Sequence, residues 1–192
     1  DVIKGLVKKG FEVMVEKGAG INSFYADDTY TAAGASIVDG NKCYTDADVV
    51  LKVNAPQPDE ISKMKKEAIL ISFMFAATNP QLVDACSSAG ISAFSMDAIP
   101  RISRAQKMDA LSSQANLAGY KAVILAANAL GKIFPMMTTA AGTIRPSKVV
   151  IFGAGVAGLQ AIATAKRLGA VVEVSDIRPE TKEQVQSLGG KF

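Results

Sequence analysis

Three glycines in the spacing Gly-x-Gly-x-x-Gly stand between an apolar run and a stretch typical of a helix. The run Lys148–Phe152 predicts a buried strand, and Leu159 to Leu168 predicts the helix. In such a turn the first glycine permits the tight bend, the second lets the backbone approach a diphosphate, and the third lets the helix press on the strand. Unpaired N–H groups at the helix start then stabilise the anion. The candidate loop residues are Gly153, Ala154, Gly155, Val156, Ala157 and Gly158.

An acidic residue ends the next predicted strand. Asp176 follows the run Ala170–Ser175 and lies eighteen residues after Gly158, where a carboxylate can bind the ribose hydroxyls of adenosine. Its charge opposes a 2′-phosphate, so the sequence predicts NAD(H) rather than NADP(H). Arg178 leaves NADP(H) open, and an ordinary polar strand end is the alternative for Asp176. Ile177 and Arg178 complete the candidate cofactor-binding set.

A second glycine-rich segment, Gly18-Ala19-Gly20, also follows a predicted strand. Ser23 occupies the place of the third glycine, and we find no acidic strand end at the required distance. We therefore interpret this segment as a plain turn.

Composition excludes several classes of function. Lys and Arg number 21 and Asp and Glu 18, a net charge of +3 without a basic tract, which disfavours a nucleic-acid partner. The absence of histidine excludes a Ser-His-Asp triad. Cys43 and Cys86 have no metal-ligand spacing, so we expect reduced thiols and no metal. No apolar run approaches the roughly 20 residues of a transmembrane segment.

Short predicted strands and helices alternate along the chain, which favours parallel sheets covered by helices. We predict an α/β protein with two open parallel-sheet domains, a flavodoxin-like N-terminal domain and a Rossmann NAD-binding domain. The first covers 1–131 and ends with a long helix from Met108 to Leu130, a connector covers 132–147, and the second domain covers 148–192. A full Rossmann sheet has about six strands, and only two are predicted here, so we expect both domains to be truncated.

The middle of the chain is more specific than a general dinucleotide fold. The segments 101–109, 112–120 and 134–143, continued by 153–158, 163–170 and 182–192, resemble proton-translocating NAD(P) transhydrogenase. The resemblance is to the extramembrane NAD(H)-binding component, the alpha subunit, in the alanine dehydrogenase/transhydrogenase superfamily.

The resemblance implies an enzyme with a defined set of partners. NAD(H) would bind this chain, between its two domains, and pass a hydride directly to NADP(H) on a partner component, coupled to proton movement by a membrane component. A homodimer would lie peripheral to a membrane, facing the bacterial cytoplasm or the mitochondrial matrix, with no transmembrane segment in this chain. No protein group would carry the hydride, so the protein's task is alignment of two nicotinamide rings.

The resemblance also assigns Arg101, Gln106, Asp109 and Ser112 to the nicotinamide end of the site. Asp109 and Ser112 are three residues apart at a helix start and offer an acceptor and a hydroxyl to a carboxamide. Arg101 can brace Asp109, and Gln106 can reach the partner nucleotide. The alternative is a solvated loop with a helix cap.

Two other functions compete with this one. Alanine dehydrogenase is a related NAD enzyme whose pattern includes a lysine like Lys52 and a histidine on the next strand end. Here that strand end reads 72–76 Ser-Phe-Met-Phe-Ala, so oxidative deamination lacks its proton carrier, and we interpret Lys52 as structural or solvent-facing. A non-catalytic NAD-binding module is the third possibility.

Overall fold

The computed structural model describes residues 1–192, whose contacts divide the chain into two compact units, Asp1–Met108 and Asp109–Phe192. The long helix therefore belongs to the second unit, whereas the sequence assigned it to the first and placed the boundary at 132–147. The reason is packing: the helix contributes Val123 to the core of the second unit. A hydrophobic pattern marks an apolar face but not the partner that covers it.

The first unit alternates strands with short helices. Its strands form two parallel sheets, β1 with β2 and the three-stranded order β3-β4-β5. The elements are α1 (Val2–Lys8), β1 (Met14–Glu16), α2 (Asp27–Thr31), β2 (Ser36–Val38), α3 (Gly40–Thr45), β3 (Val49–Leu51), α4 (Pro58–Ser62), β4 (Ile69–Ser72), α5 (Pro80–Ala89) and β5 (Ser92–Ser95), with 3-10 helices at Ile21–Ser23, Met96–Ala98 and Ser103–Met108. A buried cluster that includes Val50, Ile61 and Leu70 joins β3, α4 and β4.

The second unit is built on one parallel strand pair, β8 with β9, and on two helices that pack together. Its core includes Ile162, Ala165, Val172 and Val185, all nearly inaccessible to solvent. The elements are α6 (Ala110–Ala129), β6 (Met137–Thr139), β7 (Gly142–Ile144), β8 (Lys148–Phe152), α7 (Val156–Arg167), β9 (Val171–Ser175) and α8 (Lys182–Ser187), with a 3-10 helix at Pro179–Thr181.

The predicted α/β class with parallel sheets is confirmed by this arrangement. Four elements were not predicted: the helices α3 and α8 and the two strands of the β6–β7 hairpin, which lies in the segment interpreted as a connector. Both hairpin strands are exposed at every position, so no alternation of apolar and polar residues marks them. Helix α3 has six residues, too few to show a helical period. None of the helices combines the length and the apolar character that crossing a membrane requires.

Candidate functional site

The glycine turn has the geometry that its spacing predicts. Strand β8 ends at Phe152, and Gly153 adopts φ of +95°, a left-handed conformation that favours glycine. Gly155 is the N-cap of α7. A Cβ at Gly158 would overlap the carbonyl oxygen of Gly153 and lie 2.9 Å from its carbon, so only glycine allows α7 to pack so closely on the strand end.

Asp176 binds this turn directly. Its Oδ2 accepts a hydrogen bond of 2.6 Å from the backbone N–H of Ala154, and its side chain is 4 % exposed. The Arg178 side chain donates from Nε to Oδ1 at 3.1 Å and from Nη2 to Oδ2 at 3.0 Å, and the Arg178 backbone N–H donates to Oδ1 at 2.8 Å. The two strand ends of the sheet are therefore joined through one carboxylate.

The same contacts fix the charge of Asp176. Hydrogen bonds from the Arg178 side chain, from the Ala154 N–H and from the Arg178 N–H hold the pKa of this carboxyl well below its usual range. The four donors occupy the roughly four acceptor positions of a carboxylate. A ribose diol can bind Asp176 only after the Arg178 side chain, which is half-exposed, releases it.

The surroundings of the turn fit a dinucleotide. Apart from the adjacent residues, no atom lies within 4 Å of the positions that Cβ atoms at Gly153 and Gly155 would take, which leaves open space over the turn. No side chain caps the first N–H groups of α7, a twelve-residue helix, so they can bind an anion. Ile177 is 98 % exposed and offers an apolar surface beside Asp176.

Asp109 and Ser112 meet at the start of α6. Asp109 is the N-cap, and its Oδ1 accepts a 2.9 Å hydrogen bond from the Ser112 N–H. The Ser112 hydroxyl donates to Asp109 Oδ2 at 2.6 Å. This is the helix cap of the alternative interpretation. Because the serine uses its one proton on Asp109, its hydroxyl faces any ligand as an acceptor.

Arg101 and Gln106 lie in the first unit, whereas Asp109 and Ser112 begin the second. Gln106 is exposed on the 3-10 helix Ser103–Met108, and Arg101 is exposed in the segment that precedes it. The joint action of the four residues at a nicotinamide ring stays a prediction.

The segment Gly18–Gly20 is a turn, as predicted, but one reason given for that interpretation is wrong. An acidic residue does follow the neighbouring strand, since Asp39 comes directly after β2. Its carboxylate accepts a 3.0 Å hydrogen bond from the Asn41 N–H and so caps α3. The turn itself leads into the three-residue 3-10 helix Ile21–Ser23, not into an α-helix.

Lys52 is paired within the first unit. Its ammonium contacts Glu60 and donates to the Tyr44 hydroxyl at 3.1 Å, and Tyr44 donates to Glu60 at 2.7 Å. Burial opposes ionisation of Glu60, but hydrogen bonds from Lys52, the Gln57 N–H and Tyr44 outweigh it and lower the pKa to about 2. Lys52 therefore has a structural role here. At the next strand end, which in alanine dehydrogenase has a histidine, Met74 is only 2 % exposed.

Sequence reasoning assigned no role to Gly119, which lies in the middle of α6. It is buried, and a Cβ there would overlap the carbonyl oxygen of Ala157 and lie 2.9 Å from its carbon. The available signal was the glycine itself, because glycine in a helix interior costs about 1 kcal/mol relative to alanine and usually has a packing reason.

Two family models together match almost the whole chain. Residues 1–118 match "Alanine dehydrogenase/PNT, N-terminal domain", and residues 122–192 match "Alanine dehydrogenase/PNT, C-terminal domain". The chain belongs to the alanine dehydrogenase/PNT family. The resemblance stated from the sequence is thereby confirmed, including its superfamily.

Within this family the transhydrogenase relatives are the more similar. An NAD(P) transhydrogenase alpha-subunit polypeptide of Rhodospirillum rubrum is 54% identical over 198 residues, which cover 100% of this chain and 52% of the relative. A crystal structure of transhydrogenase from Sinorhizobium meliloti has TM-score 0.95 at 52% identity and covers 99% of this chain and 57% of that one. An L-alanine dehydrogenase structure has TM-score 0.81 at 29% identity, with 98% and 52% covered. The chain thus spans about half the length of these relatives.

Proposed function

We propose that this chain is part of the NAD(H)-binding component of a proton-translocating transhydrogenase. The observation that carries the proposal is the joined turn of Gly153–Gly158 and Asp176, in a chain 54% identical to a transhydrogenase alpha subunit. The turn binds the diphosphate through the N–H groups at the start of α7. Asp176 binds the adenosine ribose, and Ile177 contacts the adenine.

The Arg178 side chain blocks the ribose-binding oxygens of Asp176 until it moves away. It occupies both oxygens of Asp176 and has to swing toward solvent before a ribose diol can bind. Asp176 then turns away a 2′-phosphate by charge repulsion, which favours NAD(H). Once released, Arg178 is free to contact the diphosphate.

The start of α6 orients the nicotinamide end. Bound NAD(H) supplies a hydride, and the protein contributes position and exclusion of water. The Ser112 hydroxyl, held by Asp109, accepts a hydrogen bond from the carboxamide NH₂. Gln106 contacts the second nucleotide, and Arg101 lies exposed in the segment that precedes its helix. That nucleotide, NADP(H), is bound by a partner component. Hydride transfer drives proton movement through a membrane component. The alpha-subunit component is a homodimer at the membrane surface.

The whole reading frame that encodes this chain, co-expressed with its NADP(H)-binding component, tests the proposal. We expect NADH to bind in a fluorescence titration and to reduce an NADP analogue in the joined complex. The parallel assay is NADH oxidation with pyruvate and ammonium, for which we expect no activity. Activity in only that second assay would assign an alanine dehydrogenase. NADH binding without activity in either assay would assign a non-catalytic module.

A further inference from the structure

Two glycines allow close backbone contacts at the first turn of α7. Gly158 packs against the carbonyl of Gly153 at the strand end, and Gly119 packs against the carbonyl of Ala157 from helix α6. In each case the neighbour is backbone, which cannot move aside as the tip of a side chain can. The sequence motif explains the first contact only.

Helix α6 presents one face to α7. Ser112, Gly119 and Val123 recur at intervals of seven and four residues, which places them on the same side of the helix. Val123 is 4 % exposed and belongs to the core cluster that contains Ile162 of α7. At 1.5 Å per residue, Ser112 lies about 10 Å along the helix axis from Gly119.

We infer that Gly119 is a positioning residue for the cofactor site, an inference that rests on the proposed function. Its missing Cβ sets the distance between α6 and the diphosphate-binding turn of α7. The same rigid helix carries Ser112, so the contact also sets the distance from that turn to the residues at the nicotinamide end. A side chain at position 119 would change both of these distances.

The opposing expectation comes from helix propensity alone. Alanine is a better helix former than glycine, so Gly119→Ala would stabilise an α6 that had no close neighbour. Asn116→Ala is the matched control, because Asn116 is exposed on the same helix one turn earlier and also gains propensity.

The test uses the whole reading frame with its NADP(H)-binding component. For Gly119→Ala we expect NADH and ADP-ribose to bind about tenfold more weakly, the effect of losing one charge-assisted hydrogen bond to the diphosphate. Hydride transfer at saturating NADH should fall by up to about 100-fold, since a 1 Å displacement has that effect. Asn116→Ala should change neither. Unchanged affinity for both ligands in Gly119→Ala, with a raised melting temperature, would overturn the inference.

Hydrogen exchange in the unaltered protein covers the case in which Gly119→Ala does not fold. NADH should slow amide exchange in the first turn of α7 and also in the turn of α6 around Gly119, because the two are in backbone contact. Protection of α7 alone would overturn the inference while leaving the proposed function intact. Failure of the unaltered protein to bind NADH would overturn both.

Discussion

Each unit of this protein contains a parallel strand followed by a glycine turn, and in each turn a backbone N–H group donates a hydrogen bond to a carboxylate. In the first unit Asp27 accepts a 2.9 Å hydrogen bond from the Gly18 N–H, and in the second Asp176 accepts one of 2.6 Å from the Ala154 N–H. The turns differ in the helix that comes after each of them. The first leads into three residues of 3-10 helix, and the second leads into twelve residues of α-helix.

The space around the two turns differs as well. At Gly20 a Cβ would overlap the Tyr30 hydroxyl and lie 2.6 Å from the Tyr25 carbonyl oxygen, so the chain itself fills this turn. At Gly155 nothing beyond the adjacent residues lies within 4 Å. A carboxylate and two glycines therefore make a turn, whereas an anion site needs in addition a long helix with uncapped N–H groups and open space before them.

The largest expected effect comes from Gly158→Ala. Its Cβ would meet the Gly153 carbonyl, and we expect NADH affinity to fall by about 100-fold, the cost of losing two charge-assisted hydrogen bonds at the turn. Gly20→Ala is the matched change in the other turn and should lower the melting temperature without changing the NADH dissociation constant. Fluorescence titration and thermal unfolding measure the two effects. Equal loss of NADH affinity in both variants would remove the distinction between the turns.

A smaller effect is expected from Asp176→Asn. The amide oxygen can still accept from Ala154, but the residue loses its charge and its pair with Arg178. We expect NADH to bind about tenfold more weakly and NADPH to gain relative to NADH, because the repulsion of a 2′-phosphate is gone. Asp27→Asn should leave both dissociation constants unchanged. If Asp176→Asn retained the original preference for NADH, the carboxylate would be only a brace for the turn.

Acid should weaken the first unit before it affects the glycine turn of the second. The folded-state pKa of Glu60 is about 2, below its ordinary 4.5, so its ion pair with Lys52 stabilises the fold above about pH 4.5. That stability is lost as the pH falls from about 4.5 to 2. We expect a loss on the order of 1–2 kcal/mol in urea unfolding over this range. In Glu60→Gln the free energy of unfolding should change less with pH over this range. If it changed as steeply as in the unaltered protein, Glu60 would be excluded as the source of the pH dependence.

The glycine site was predictable because its chemistry is local in the sequence. Spacing places Gly153, Gly155 and Gly158 in one turn, and strand pairing brings Asp176 beside them at the end of β9. The pair of Asp176 with Arg178 was not predicted, because it depends on side-chain rotamers, which residue types do not specify. The cap formed by Asp109 and Ser112 is the alternative that the sequence left open.

The sequence could not show which face of an element meets which neighbour. The α/β class follows from the hydrophobic period, but the sequence placed α6 in the first domain, whereas its contacts place it in the second unit, because its packing partner, α7, is distant in the sequence. Gly119 shows the same limit, since the atom it accommodates belongs to another helix. In the β6–β7 hairpin every position is exposed, so no buried face marks its strands.

The smallest expected effect concerns the residue that closes the first turn. Phe24 ends the 3-10 helix with φ of +61°, a left-handed conformation costly for residues other than glycine, and its side chain is 99 % exposed. We expect Phe24→Gly to raise the free energy of unfolding by about 0.5 kcal/mol, because relief of strain exceeds the entropy that glycine adds to the unfolded chain. Gly153→Ala places a Cβ on the left-handed residue of the other turn and should lower the free energy of unfolding by about 1 kcal/mol. Urea unfolding measures both, and Phe24→Asn, which also tolerates this conformation, is the control. A loss of stability in both Phe24 variants would show that the ring stabilises its turn by contact.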